Sequence, residues 1–132
     1  MPRIEWQEAL SVGIKSIDEQ HKNLLVTFNA LLEANAAGKT SPADDLVACL
    51  KTFAAEHFHV EEGYMQAFAY PETAAHQKEH EDFLAAVALF ESACAEGRGN
   101  PNAVLGFLET WINGHLAGAD RRMGRYLEDY LR

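Results

Sequence analysis

The stretch HFHVEEGYM, residues 57–65, sets two histidines and two glutamates among Phe58, Val60, Tyr64 and Met65. Imidazole nitrogens and carboxylate oxygens are the groups with which proteins hold transition metals and move protons. If the stretch is helical, His57 and Glu61 stand one turn apart on one face. That face is the apolar one, continuing Leu46, Leu50, Phe53 and Ala54 and running on to Met65. The placement recurs elsewhere. His21 shares a stripe with Leu24, Leu25 and Phe28, His76 and His80 share one with Phe83, Leu84, Val87 and Phe90, and His115 follows Val104, Leu105, Leu108, Trp111 and Ile112. His59 lies about 200° round the helix from His57 and faces solvent with Glu56 and Glu62. Glu62 accordingly reads as a solvated carboxylate.

One inward histidine is ordinarily structural, hydrogen-bonded to a carbonyl. Five of them together with Glu61 are another matter. A buried polar group left unpaired costs about 1–3 kcal/mol, and a buried carboxylate more, against a net domain stability of roughly 5–15 kcal/mol. A shared partner is needed, and a metal cluster is the simplest one that satisfies them all. Asp120 fits less easily. It follows His115 by five residues, about 140° round a regular helix, and by itself reads as an exposed cap for the last helical segment. A break or π-type bulge at Gly118 would swing it inward.

The elements that must position these residues are punctuated by glycine and proline. Residues 1–17 form an arm without sustained periodicity. SIDE, Ser16 to Glu19, fits a capping box with Ser16 as N-cap, and a helix follows to Gly38. Ser41-Pro42 opens a second helix, which Tyr70-Pro71 breaks. A third runs to about residue 96, and Asn100-Pro101 opens the fourth. A shorter amphipathic piece, Arg121 to Leu131, closes the chain. Nothing alternates with period two. The expectation is an all-α protein: an up-down-up-down antiparallel four-helix bundle over about 18–118, with the N-terminal arm and a C-terminal helical segment over about 119–131. The inward groups fall near the start of helix one, the end of two, the start of three and the end of four. In such a bundle those positions share one height.

Composition bounds the rest. The 132 residues suit a single domain, and 48% are apolar. A formal charge of −9 argues against nucleic acid and anionic membranes as partners. Cys49 and Cys94 are in no CxxC arrangement and read as free thiols of a reducing compartment. No signal peptide and no membrane span is visible, so a cytoplasmic location and a monomer are expected. No phosphate-binding glycine loop, GxSxG or nucleophile beside a base is present.

SVGIKSIDEQHK ending on His21 and Lys22, HFHVEE, YPETAAHQKEH and WINGHLAGAD together resemble the hemerythrin family, and among its members the bacteriohemerythrins most closely. The likeness runs from Trp6 to the end of helix four. It implies two non-heme iron ions, one held by His76, His80 and His115 and the other by His21 and His57, bridged by Glu61, Asp120 and an oxo or hydroxo group. Three histidines and three bridges fill one ion. Two histidines and three bridges leave one position open on the other, and the resemblance implies that dioxygen binds there reversibly. By matching position, Leu24, Trp111, Ile112 and Leu116 would line the oxygen pocket, and Trp6 would pack the arm onto the bundle. Five neutral imidazoles in place of most of the carboxylates of the di-iron enzymes favour the reduced, reversible couple. The expectation is therefore a binding protein and not an enzyme: a carrier, store or supplier of dioxygen to an oxygen-consuming enzyme, with an electron donor as a further partner. The alternatives are a sensor module, an enzyme acting on peroxide or nitric oxide, and a structural bundle holding zinc. Gly114 and Gly118 depart from the family pattern and are expected to loosen helix four near the site.

Overall fold

The computed structural model describes residues 3–38 and 42–130. Its helices are α1 (Lys15–Ala36), α2 (Pro42–Ala67), α3 (Thr73–Ala95), α4 (Pro101–Trp111), a π-helical run (Ile112–Asp120) and α5 (Arg121–Glu128). A single 3-10 turn, Glu8–Leu10, interrupts the arm, and no strand occurs among the described residues. The last three helical runs follow one another without a loop. What the periodicity separates into a fourth helix and a closing piece is thus one continuous rod with a widened section at its middle.

Side-chain pairs fix the directions. Asn35 near the end of α1 donates to Asn102 at the start of α4, 2.8 Å. Lys51 in the first half of α2 pairs with Glu91 in the second half of α3, 2.6 Å. The start of α1 meets the end of α2 where His21 and His57 touch. Neighbours therefore run antiparallel, in the up-down-up-down order the short connections favour. The turn after α2 carries Ala69 at φ 51°, and Gly38 and Gly97 take φ 69° and 74° just past α1 and α3. These left-handed positions end helices because the chain must reverse there.

Helix starts are only partly as expected. Asn100 caps α4 as anticipated, its side chain accepting from Ala103 N, with Pro101 following. The expected cap Ser41 lies outside the described residues. Ser16 is not the N-cap of α1: the helix begins at Lys15, with Ile14 in the cap position. The arm explains the difference. Asp18 in the first turn accepts from Ser11 Oγ at 2.6 Å and from Val12 N at 2.9 Å, so the side chain of the first turn organises the arm and not the helix end. Further out, Asn29 exchanges two 2.9 Å hydrogen bonds with the backbone of Ile4, which satisfies a buried amide. Trp6 packs on the main core with Lys22 Nζ 5.1 Å over its ring.

Two apolar clusters fill the interior. The larger holds Leu24, Phe28, Leu50, Phe58, Phe83, Leu105, Ile112 and Leu116 among others. The smaller gathers Val12, Ile14 and Ile17 with Met65, Tyr70, Met123 and Leu127. The helical stripes point into them with one exception: Leu84 is 48% exposed. It sits one position after Phe83, about 100° further round, where only one of two adjacent residues can face inward. Both cysteines are free and half-buried. No described helix is long and apolar enough to cross a membrane.

Candidate metal centre

Eight polar residues are buried in the described chain, and seven of them are His21, His57, Glu61, His76, His80, His115 and Asp120. They come from four elements. α1 contributes His21 from its second turn, α2 contributes His57 and Glu61 one turn apart, and α3 contributes His76 and His80 one turn apart. The π-helical run contributes His115 and Asp120, both buried. Here the widened helix does necessary work. Hydrogen bonds spanning five residues make a π turn, so a spacing of five brings two side chains to one face where an α-helix would splay them. Gly118 does not force this widening. A Cβ there would meet nothing nearer than Arg122 Nη1 at 3.6 Å, and one on Gly114 would meet open space.

The carboxylates divide their oxygens between two groups of imidazoles. Glu61 Oε1 lies 3.2 Å from His76 Nε2 and 3.1 Å from His80 Nε2. Glu61 Oε2 lies 2.9 Å from His57 Nε2 and 3.7 Å from His21 Nε2. Asp120 repeats the division, with Oδ1 at 2.9 Å from His76 and 3.1 Å from His115, and Oδ2 at 3.2 Å from His21. Two sets of donors result, His76, His80 and His115 on one side and His21 and His57 on the other, with Glu61 and Asp120 belonging to both.

Hydrogen bonding does not account for this gathering. Glu61 Oε2, both Asp120 oxygens and His115 Nε2 are buried without a hydrogen-bond partner although they sit among donors. Atoms in that condition cost about 1–3 kcal/mol each unless something else engages them. A cation does so. Two donors at right angles on an ion with bonds of about 2.1 Å are about 3 Å apart, which is the spacing most of these pairs show. Imidazole with carboxylate suits divalent first-row metals, iron and zinc among them. The donor set therefore fits a pair of cations sharing two carboxylates.

Electrostatics point the same way. Burial disfavours the charged imidazole of His21, but the Asp120 and Glu61 carboxylates close to it outweigh that effect, and its pKa is pushed up to about 9. The same balance pushes His76 up to about 9 and raises His115. Burial alone would raise Glu61; the four imidazoles around it hold it well below the usual carboxylate range. Paired carboxylates this deep attract positive charge, as protons or as metal.

Around the cluster stands a second set of contacts that the helical pattern does not reveal. His57 Nδ1 donates to Gln20 Oε1 at 2.6 Å, His80 Nδ1 to Glu62 Oε2 at 2.8 Å, and His115 Nδ1 to Glu79 Oε1 at 2.8 Å. Glu62 is thus no mere solvated carboxylate. Each partner sits beside one clustered residue in sequence and reaches across to a histidine of the next helix: Gln20 beside His21, Glu62 beside Glu61, Glu79 beside His80. The only sequence signal is a polar residue next to an inward one, at the seam between helices. Aromatic faces back the same three rings, with Phe53 on His57, Phe58 on His80 at 3.8 Å between centroids, and Trp111 on His115 at 4.4 Å. His59 is exposed and outside the cluster. Of the expected oxygen-pocket residues, Leu24, Ile112 and Leu116 are buried in the larger core, while Trp111 is half-buried against His115 on the three-histidine side.

A groove of about 360 Å³ between α1 and α2 reaches the other side. Leu24, Phe28, Leu46, Leu50 and Phe53 line it together with Gln20 and His57.

Residues 12–127 match the family model described as the hemerythrin HHE cation binding domain. Curated relatives are similar over nearly the whole chain. A bacteriohemerythrin of Stenotrophomonas maltophilia is 27% identical over 131 residues, covering 99% of this chain and 86% of its own length. Others from Ralstonia nicotianae and Clostridium acetobutylicum are 29% and 28% identical, covering 96% and 88% of this chain and 90% and 95% of their own.

Proposed function

The chain belongs to the hemerythrin family, and from that premise we propose that it binds dioxygen reversibly at a pair of non-heme iron ions. The observation that carries the proposal is the division of oxygens: Glu61 and Asp120 each turn one oxygen to a three-histidine set and the other to a two-histidine set. His76, His80 and His115 would hold one ion and His21 and His57 the other, with Glu61 and Asp120 shared. Bound there, the iron pair supplies a reversible two-electron couple and, on the side with one histidine fewer, a position for dioxygen.

The protein's own residues do the rest. Five neutral imidazoles against two carboxylates keep the donor set short of the negative charge that stabilises high-valent iron. Gln20, Glu62 and Glu79 orient three of the rings by accepting from Nδ1, which leaves Nε2 free to face inward. Leu24, Ile112 and Leu116 exclude water, and dry surroundings protect a reversibly held ligand from displacement by solvent. The largely apolar groove that His57 helps to line offers a small nonpolar molecule an approach to the two-histidine side.

The test is to prepare the chain with ferrous iron under argon, measure its metal content, and record absorption as oxygen is admitted and withdrawn. A near-colourless solution that takes up one oxygen per two irons, gains a visible charge-transfer band and loses it under argon is the expected outcome. Zinc in place of iron in the isolated protein, or irreversible oxidation with no recoverable band, would overturn the proposal. Steady turnover of peroxide or nitric oxide would convert the carrier into an enzyme.

A further inference from the structure

The partners behind the clustered histidines are not alike. On the three-histidine side, His80 and His115 donate to carboxylates, Glu62 and Glu79. On the two-histidine side, His57 donates to the neutral amide of Gln20. An imidazole that binds a cation through Nε2 takes on positive charge, and a carboxylate at Nδ1 stabilises that charge and strengthens the donor; an amide does less. The three-histidine side therefore has one more ring and two more negative charges behind its rings. The two-histidine side is also closed upon itself. His57 Nε2 and His21 Nε2 stand 2.8 Å apart, close enough to share a hydrogen bond with each other. A cation entering that side must first part the pair.

We infer that the centre takes its two cations in a fixed order, the three-histidine side first, and that Glu62 and Glu79 are the positioning residues that set the order. The inference takes the ligand set of the proposed function as its frame but needs no oxygen chemistry. Glu62 and Glu79 keep 31% and 42% of their side-chain exposure, so solvent shares their charge and a moderate effect is expected.

The experiment uses the full chain stripped of metal and titrated with Co²⁺ alone in the absence of oxygen, followed by its visible absorption. A parallel titration with Zn²⁺ follows the imidazole ¹⁵N resonances. The first equivalent should move the signals of His76, His80 and His115, and the second those of His21 and His57. Glu62→Gln combined with Glu79→Gln should weaken the first step by about 10-fold and shrink the gap between steps. Gln20→Ala should weaken only the second step. Both equivalents binding together in the unaltered chain, or a gap unchanged in the double variant, would overturn the inference. Should the double variant fail to fold, Gln20→Glu places a carboxylate behind His57 and should close the gap from the other side; a gap that stays open counts against it. Simultaneous loading with reversible oxygen binding intact would remove this inference alone. Ordered loading with no reversible oxygen binding would remove the proposed function and leave the order standing.

Discussion

His21 and His76 stand apart from the other three clustered imidazoles, because their Nδ1 atoms have no hydrogen-bond partner and all their polar contacts lie inside the cluster. Both are pushed up to about 9 by Asp120 and Glu61 against the opposing effect of burial. At pH 7.5 both rings in the stripped chain carry an extra proton, and a metal ion must displace it. Loading the stripped chain with Zn²⁺ in weak buffer should therefore release about two protons from these rings, read with an indicator dye, and progressively fewer as the pH rises past 9. Release that stays near zero at pH 7.5 would show the rings already neutral. The five histidines and Glu61 were legible in the sequence because so many polar groups on apolar stripes at one height call for a shared partner. Asp120 by itself reads as an exposed cap and is drawn inward only by the family resemblance. Gln20, Glu62 and Glu79 were not legible. On a helical wheel they fall toward solvent, and their roles depend on which neighbouring helix passes at that height.

The continuous run from Pro101 to Glu128 shows how one element does two jobs. Its widened middle brings His115 and Asp120 to one face, and its last two turns hold down the arm. A π-type widening was foreseeable from the five-residue spacing once Asp120 was required inward, and it runs through Gly118 as anticipated, although nothing at that position demands a glycine. Glycine at 118 is neither left-handed nor crowded, and the spacing of the two inward residues is what the widening serves. Gly124 is the glycine that the fold needs. A Cβ there would come within 2.3 Å of the Val12 carbonyl oxygen, backbone against backbone. Opposite outcomes follow from the same substitution. Gly118→Ala should raise stability by about 0.5–1 kcal/mol, the usual gain of alanine over glycine within a helix, with metal content unchanged. Gly124→Ala should lower it by roughly 1–3 kcal/mol, as overpacking does. Thermal unfolding of both variants checks the pair, and a stable Gly124→Ala protein would mean that the arm yields at no cost. The helical pattern located every described helix but missed the start of α1, because Asp18 turns toward the arm and organises Ser11 and Val12. No periodicity records a contact of that kind.

The whole molecule is a bundle with a polar layer between two apolar ones. Along α1 the order is Ile17 in the smaller core, His21, then Leu24 in the larger. Along α2 it is Phe58, Glu61, Met65, and along the closing rod Leu116, Asp120, Met123. The layer of clustered residues thus separates the main core from the cap built by the arm, α5 and the turn after α2. A layer bonded to metal joins the two cores, while a layer holding only protons joins them less firmly. Metal that binds only the folded chain stabilises it by about 4 kcal/mol at a free concentration 1,000 times its dissociation constant. The gain should not spread evenly. The smaller core has fewer fully buried side chains and includes the arm, whose ties are few, so it belongs to the part of the structure that opens first. Hydrogen exchange on the stripped chain should therefore show amides of residues 12–17, 65–70 and 121–128 losing protection ahead of those around Phe28, Leu50, Phe83 and Leu105, with Zn²⁺ restoring them. Equal loss in both cores would mean that the polar layer is sound without metal and the bundle unfolds as one unit, in which case the cations would add stability to the whole and fasten no particular part of it.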